Sequence, residues 1–249
     1  MNPVWPVVVG ASLSGLALGS YAVTAAIRYA RAEPSATGRS HCDQCGVTLP
    51  FARTVPILSY LWRRGRCAVC GASIDPLHLA GEISGGIAIG AAALVGDPVR
   101  SVLLAILGLV MLASATIDAK VQRLPDVLSF VILLMCLALT ALRGGRSGLQ
   151  VGLATAAITF AILWCVAQIA LKSRGEIGLG LGDVKLLTAL AIWLGLATPW
   201  VVAGAALIAL ATVAIIRPAG GKLAFGPFIV IAGWLTGMGG ELGLWPTTV

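Results

Sequence analysis

The stretch VLLAILGLVMLASATID, residues 102–118, decides the fold of this chain. Sixteen consecutive residues carry no charge, and the run ends on the carboxylate of Asp118. A helix rises 1.5 Å per residue and needs about 20 apolar residues to cross a bilayer, so this stretch predicts a membrane span over 99–117. A carboxylate at the end of such a span is costly in hydrocarbon and indicates a function.

The composition extends this prediction to the whole chain. Of 249 residues, 58% are hydrophobic and only 11% are charged, and the mean hydropathy is +0.96. An ordinary soluble domain carries about 25% charged residues. These values exclude a disordered chain, a disulfide-stapled secreted miniprotein and a conventional soluble enzyme. The net charge of +7 does not indicate nucleic-acid binding, because no basic run lies on a polar helix.

Apolar runs separated by short polar breaks predict an all-α, polytopic integral membrane protein with about eight transmembrane helices. The run from Met1 has no positively charged start and is long enough to span, so we interpret it as the first helix and not as a cleaved signal peptide. The predicted units are the first helix (1–27), an extramembrane loop (28–77) and a membrane-embedded domain (78–249). The predicted spans are 4–27, 78–96, 99–117, 127–142, 149–171, 184–197, 199–216 and 226–243.

The positive charges predict the orientation of these spans. Fourteen of the 17 Lys and Arg residues fall in alternate loops on one side of the predicted membrane, and seven of them lie in the loop 28–77. The other side holds only Arg100, Arg143 and Arg146. Cytoplasmic loops are enriched in Lys and Arg, so we expect a bacterial inner-membrane protein with the loop 28–77 in the cytoplasm and both termini outside.

The loop 28–77 contains two C-x-x-C pairs, separated by 21 residues, and a glycine follows each pair. Four thiolates can complete a tetrahedral zinc shell, which leaves no open position and is therefore structural. Two disulfides are the alternative, but thiols remain reduced in the predicted cytoplasmic location. Cys136 and Cys165 lie within predicted spans and are expected to be small core residues. The predicted zinc ligands are Cys42, Cys45, Cys67 and Cys70.

Two aspartates are placed where they could do chemistry. Asp118 ends the third predicted span, and Asp183 follows Gly180 and Gly182 at the start of the sixth, on the same side of the membrane. Two carboxylates that share a site do not readily both ionise, so one can hold a proton while the other activates water. Helix capping or interfacial solvation remains the alternative. For Asp126, which follows Pro125 at a span start, a capping or positioning role is favoured.

The motifs as a set resemble those of the type IV prepilin peptidases, the polytopic aspartic proteases of the GxGD class. The resemblance extends over nearly the whole chain, and it lies in the order of the motifs more than in any single one. It rests on the tetracysteine loop and on the segments Gly19-Ser20, Val55–Leu61, Arg64–Cys67, Ile117-Asp118, Leu124–Asp126, Gly180–Leu186 and Phe225–Phe228.

This resemblance implies cleavage of the basic leader from prepilins or pseudopilins at the cytoplasmic membrane face. It implies Asp118 and Asp183 as the catalytic pair and the four cysteines as zinc ligands. Many family members also methylate the new N-terminus with S-adenosylmethionine, so this cofactor is expected if that activity is present. The expected partners are the pilin substrates and membrane lipid. Substrate-contacting or supporting roles are assigned to Gly180, Gly182, Lys185, Asp126, Gly226 and Pro227.

Two departures from the family pattern concern the methyltransferase. Tyr21–Thr24 lacks the asparagine that usually follows Gly-Ser, and Leu77–Glu82 lacks the usual Tyr-Pro. Both leave the aspartates intact, but they weaken the methylation assignment.

Some of these assignments have alternatives. Lys185 could simply extend its charged end toward the polar membrane interface, and Gly226-Pro227 could simply begin a helix, without contacting substrate. Competing functions are a transporter using the same carboxylates, a non-catalytic assembly factor that holds pilins, and a redox protein using the C-x-x-C pairs.

Overall fold

The computed structural model describes residues 4–34, 39–50, 55–174, 180–216 and 223–245. Within these ranges every regular element is a helix, as the all-α prediction requires. The α-helices are α1 (Val4–Ala30), α2 (Leu58–Trp62), α3 (Pro76–Ala93), α4 (Pro98–Val121), α5 (Asp126–Arg174), α6 (Leu181–Leu194), α7 (Thr198–Ile216) and α8 (Gly226–Glu241), and a 3-10 turn covers Gly195–Ala197.

Four helical segments are long and apolar enough to cross a membrane: Val4–Ala30, Pro98–Val121, Asp126–Lys172 and Leu181–Ile215. The last two are much longer than one crossing requires, and each is interrupted at a glycine. Gly145 breaks the helical conformation inside α5, and Gly195, with a φ of 55°, ends α6. The helices and breaks follow the predicted spans within a few residues, but eight crossings of a membrane remain a prediction.

Helices α1 and α3 approach each other through glycines. A Cβ atom at Gly19 would lie 2.3 Å from the backbone oxygen of Gly81, and one at Gly15 would lie 2.4 Å from that of Gly85. Only glycine permits this separation, since side chains would force the two backbones apart. Both helices also contact α4, which connects this pair to the rest of the molecule.

Helices α4 to α8 form the main apolar core. Fully buried side chains from four of them meet there, including Leu107 on α4, Leu139 on α5, Leu190 on α6 and Ile229 on α8. Residues on the outer surfaces of these helices are large and apolar, and they would face lipid. Because α4 and α6 both pack against α8, the residues at their corresponding ends are brought to one place.

Candidate active site

Asp118 lies on the last turns of α4 and faces the start of α8. Its side chain is buried, at 8% exposure, and its Oδ2 accepts a hydrogen bond of 2.9 Å from the backbone N–H of Gly226. A Cβ atom at Gly226 would lie 2.6 Å from this oxygen, so only glycine allows the contact. Pro227 follows at the second position of α8, where its missing N–H costs no helical bond.

Asp183 lies in the first turn of α6 and is half-buried. It is not the N-cap of that helix, because Gly180 occupies the cap position in an extended conformation and makes no side-chain bond. Its carboxylate is close enough to Asp118 for the two charges to repel each other. Among the described residues Asp183 has no hydrogen-bond partner, so this carboxylate is not committed to a structural contact.

The glycines before Asp183 allow the start of α6 to pack closely on the chain after α4. A Cβ atom at Gly182 would lie 3.0 Å from that of Leu124, which is tighter than most such contacts. At Gly180 the space faces the Asp183 carboxylate itself, 3.4 Å away. Small residues at both positions therefore keep the approach to Asp183 open.

Lys185 and Asp126 form an ion pair beside this site. The Lys185 Nζ donates to Asp126 Oδ1 at 2.6 Å, and both side chains are exposed. Asp126 begins α5, so the pair connects the starts of α5 and α6. An exposed ion pair contributes at most about 1 kcal/mol, and this geometry supports a positioning role more than a reactive one.

The arrangement of the two aspartates suits acid–base chemistry. Two carboxylates on different helices interact with each other, and only one donor from the described residues contacts the pair. Repulsion between them favours the state in which one proton is shared, with one acid and one base side by side. Such a pair can activate water and polarise a carbonyl in the same step.

The four cysteines of the loop lie together and form a candidate metal centre. Their sulfur atoms all lie within 4.8 Å of one another, and the Sγ atoms of Cys42 and Cys70 are 3.8 Å apart. A tetrahedron with Zn–S bonds of about 2.3 Å has sulfur atoms about 3.8 Å apart, so the donor set fits this ion. All six cysteines of the chain are free, in contrast to the disulfide alternative.

Each C-x-x-C pair is shaped by the same local structure. The N–H of Gly46 donates to the carbonyl of Cys42, and that of Gly71 donates to Cys67. Both glycines have a positive φ, near 70°, which the turn requires. Hydrogen bonds from the backbone N–H groups of Cys70 and Val69 lower the pKa of the Cys67 thiol to about 6, and a thiolate is the form that binds metal.

Glu82 attaches the loop to the helices, a role that sequence reasoning missed. Its buried carboxylate accepts hydrogen bonds from the Ser20 hydroxyl at 3.0 Å and from the Ile57 N–H at 2.7 Å. Ile57 has a φ of 62°, a strained conformation for a branched residue, which this bond helps to hold. An acid at the seventh residue of α3, inside an apolar helix, was the signal in the sequence.

A second contact links the loop to the helix of Asp118. Asp75 caps α3 by accepting from the Leu77 N–H, and it also accepts from Lys120 of α4 at 2.5 Å. Burial raises the pKa of the Asp75 carboxyl, but the bonds from Lys120 and Leu77 outweigh it and the pKa stays below its usual range. The contact between Asp75 and Lys120 therefore links the loop to the end of α4 that carries Asp118.

A cavity of about 710 Å³ lies between the loop, α1 and α3. Its lining contains the carboxylates of Glu33, Asp43 and Glu82 and the rings of Tyr60 and Trp62. Arg31 donates to Asp43 at 2.8 Å, and this hydrogen bond lowers the pKa of the Asp43 carboxyl. The volume is in the range that holds small-molecule ligands.

Comparison with known proteins gives two family matches. A model described as the bacterial peptidase A24 N-terminal domain matches residues 13–95. A model described as the type IV leader peptidase family matches residues 105–216, which include both aspartates. No solved structure matches the chain.

Curated proteins similar to this chain carry the name prepilin leader peptidase/N-methyltransferase. That of Burkholderia pseudomallei is 38% identical over 208 residues, which are 80% of this chain and 66% of the relative. That of Neisseria gonorrhoeae is 33% identical over 202 residues, 79% of this chain and 69% of the relative. That of Dichelobacter nodosus is 32% identical over 200 residues, 79% and 70% respectively. The match therefore spans slightly less than two thirds of the Burkholderia relative.

Proposed function

Because this chain belongs to the type IV leader peptidase family, we propose that it cleaves the leader peptide from type IV prepilins or pseudopilins at the cytoplasmic membrane face. The observation that carries the proposal is the pairing of Asp118 and Asp183. They come from different helices, 65 positions apart in the chain, and Gly182 packs on Leu124 so that the start of α6 lies beside the end of α4, with the two carboxylates close enough for their charges to repel. The names of the relatives support the substrate class.

The proposed reaction is a hydrolysis that forms no acyl-enzyme. The ionised aspartate takes a proton from water, and the water oxygen bonds to the scissile carbonyl carbon. The protonated aspartate donates to the carbonyl oxygen. When the tetrahedral intermediate collapses, the C–N bond breaks, the departing nitrogen takes a proton from one aspartate, and a hydroxyl of the intermediate gives its proton to the other aspartate as the carbonyl re-forms. The Gly226 N–H, which donates to Asp118, would hold that carboxylate in position during both proton transfers.

We assign the metal of the four-cysteine cluster as structural zinc. Four sulfur ligands leave no open coordination position, so zinc there would stabilise the loop and take no part in hydrolysis. The contacts of Glu82 and Asp75 with neighbouring helices would carry this stabilisation to the bundle. Replacing Cys67 by Ser should remove bound zinc, as measured by metal analysis of purified protein. The exposed Cys165 provides the matched control, and full zinc content in the Cys67 variant would contradict the assignment.

The proposed location is the bacterial inner membrane, with eight spans, both termini outside, and the loop and aspartates facing the cytoplasm. Four apolar helices, the two glycine breaks and the uneven distribution of positive charge support it. Membrane lipid would surround the apolar outer faces of the helices. Labelling of single introduced cysteines from each side of intact cells would test this topology.

A second proposed step is N-methylation of the new N-terminus, which the names of the relatives support. S-adenosylmethionine would supply the methyl group. The cavity of about 710 Å³ beside the loop suits such a cofactor, because its carboxylates can face the sulfonium and amino cations and its aromatic rings can contact adenine. Glu33, Glu82 and Tyr60 are the residues that would hold it.

The experiment is cleavage of a prepilin-like peptide in liposomes, read by mass spectrometry with S-adenosylmethionine present. Wild type should release the leader, and Asp118→Asn and Asp183→Asn should release none. Asp126→Asn, which loses only an exposed ion pair, should fall no more than a few-fold. A mature product heavier by one CH₂ would establish methylation.

Two results would contradict the proposal. Full cleavage by either Asp118→Asn or Asp183→Asn would show that the aspartate pair does not catalyse the reaction. Absence of cleavage by wild type across several pilin-like substrates would favour a transporter, tested next by cation flux, or an assembly factor, tested by pilin binding that survives loss of both aspartates.

A further inference from the structure

On the side of the bundle opposite the aspartates lies a group of buried and partly buried side chains, which we call the Glu241 cluster: Arg100, Arg143, Trp193 and Glu241. The Glu241 side chain is fully buried. It forms ion pairs with Arg100 and, at 3.4 Å, with Arg143, and it accepts a hydrogen bond of 2.8 Å from the Trp193 indole N–H. Arg143 also donates to the Trp193 backbone carbonyl at 3.2 Å.

Each member of the cluster comes from a helix that also supplies a residue to the aspartate site. Helix α4 carries Arg100 and Asp118, and α5 carries Arg143 and Asp126. Helix α6 carries Trp193 and Asp183, and α8 carries Glu241 and Gly226. One buried carboxylate therefore connects the far ends of α4, α6 and α8 with α5 near its break at Gly145, and the near ends of the same four helices build the site.

We propose that the Glu241 cluster sets the relative positions of Asp118 and Asp183, and that its members are positioning residues for the reaction. This inference rests on the proposed function. The physical reason is that a buried carboxylate must keep its donors, since no water replaces them. Glu241 therefore fixes where α4, α5 and α6 lie relative to α8.

Helices transmit this constraint because they are stiff. Arg100 and Asp118 are separated by about 27 Å along α4 and Glu241 and Gly226 by about 22 Å along α8, at 1.5 Å per residue. A tilt of about 5° at one end therefore moves the other by about 2 Å. A misplacement of about 1 Å in a catalytic group can reduce a rate about 100-fold.

The cluster is also tightly packed, so a change within it has little room to relax. Trp193 is 1% exposed, and a Cβ atom at Gly237 would lie 2.0 Å from its ring. The Nε atoms of Arg100 and Arg143 are buried and have no hydrogen-bond partner within the described residues. Glu241 is thus the anion on which both guanidinium groups depend.

The experiment compares Glu241→Gln with wild type in reconstituted full-length protein, using a prepilin-like peptide. Glu241→Gln should lower kcat per folded molecule about 10- to 100-fold, leave KM within about 3-fold, and shift the limbs of the pH–rate profile, because the spacing of the aspartates changes. Glu241→Asp, which keeps the charge, should recover part of the loss. Arg146→Gln is the matched control, since Arg146 is an exposed cation on the same helix, three residues after Arg143 and next to the break at Gly145.

If the cluster only stabilises the fold, Glu241→Gln gives a different result. The substitution would then lower the amount of folded protein but leave kcat per folded molecule and the pH–rate profile at wild-type values. That outcome overturns the inference. If Glu241→Gln does not fold, Trp193→Phe removes one donor and leaves both ion pairs. It should lower kcat several-fold with the same shift in profile, and an unchanged kcat and profile would overturn the inference.

Failure of the proposed function is recognised separately. If wild type cleaves no prepilin peptide, the carboxyl ¹³C resonances of Asp118 and Asp183 are titrated in wild type and in Trp193→Phe. A changed titration in the variant supports the positioning role without any substrate, whereas identical titrations overturn it.

Discussion

The two ends of the α4–α8 bundle differ in the number of hydrogen-bond donors that contact their buried carboxylates. At one end Glu241 receives two guanidinium groups and an indole N–H. At the other end Asp118 receives one backbone N–H, and Asp183 has no donor among the described residues. Both ends bury acids against apolar helices, so burial alone does not separate a structural acid from a reactive one.

The difference lies in how many hydrogen-bond donors reach each carboxylate. A carboxylate surrounded by donors is held ionised and has no capacity left to exchange a proton. A pair of carboxylates with one donor between them keeps lone pairs for water and for a proton. The aspartate end is therefore the reactive one in our proposal, and the Glu241 end is the one that positions the helices.

The largest expected effect is on cleavage by Asp118→Asn. Removal of one member of the pair should lower the rate at least about 1,000-fold, because an amide can neither hold nor accept the shared proton. The Gly226 N–H can still donate to the amide oxygen, so folding should be retained. Peptide cleavage and thermal unfolding of the same preparation measure both effects. A folded variant with more than a tenth of wild-type activity would contradict the comparison.

The second largest effect on cleavage is expected for Gly226→Ala. The added methyl group would lie 2.6 Å from Asp118 Oδ2, so the carboxylate must move, and we expect cleavage to fall about 100-fold. Gly204→Ala is the matched control, because its methyl group would meet Ala232 at an ordinary 3.6 Å. Equal activity in the two variants would show that Asp118 does not need this position.

The two ends should also differ in stability. Glu241→Gln leaves two guanidinium groups without their anion and should lower the free energy of unfolding by about 3 kcal/mol. Asp183→Asn removes a half-buried charge that has no donor within the described residues, so it should be neutral within about 1 kcal/mol or stabilising. Unfolding in detergent measures both. The opposite order of stabilities would invalidate the assignment of a positioning end and a reactive end.

The smallest effect is expected for Lys185→Met. Its ion pair with Asp126 is exposed, so the loss of stability should stay below about 1 kcal/mol and should shrink further at high salt. Cleavage should fall only a few-fold if Lys185 acts through Asp126. A loss as large as that of Asp118→Asn would instead place Lys185 in direct contact with the reacting groups.

Several features could be predicted from local sequence because they depend on neighbouring residues. The helices follow apolar runs, and the two knuckles of the cysteine loop follow C-x-x-C-Gly. The predicted spans 184–197 and 199–216 put the break at residue 198, before Pro199, and it lies three residues earlier, at Gly195. Proline is accepted in the first turn of a helix, whereas a glycine with a positive φ ends one, which explains the displacement.

The contacts between distant residues could not be predicted in the same way. The sequence places Arg100, Arg143 and Arg146 as the only cations on their predicted side, yet nothing in the spacing indicates that two of them would meet at Glu241. The bond from Gly226 to Asp118 likewise joins residues 108 positions apart. The structure alone shows that this glycine is in contact with the carboxylate.

The sequence by itself predicted the long apolar helices and the grouping of the cysteines, and it indicated the two aspartates that we propose as the catalytic pair, since these depend on local hydrophobicity, turn chemistry and motif. The tertiary structure decided which acids are surrounded by donors and which are not. The physical reason is that hydrogen-bond satisfaction of a buried carboxylate depends on which helices pack together, and that packing brings together side chains that are distant in the chain.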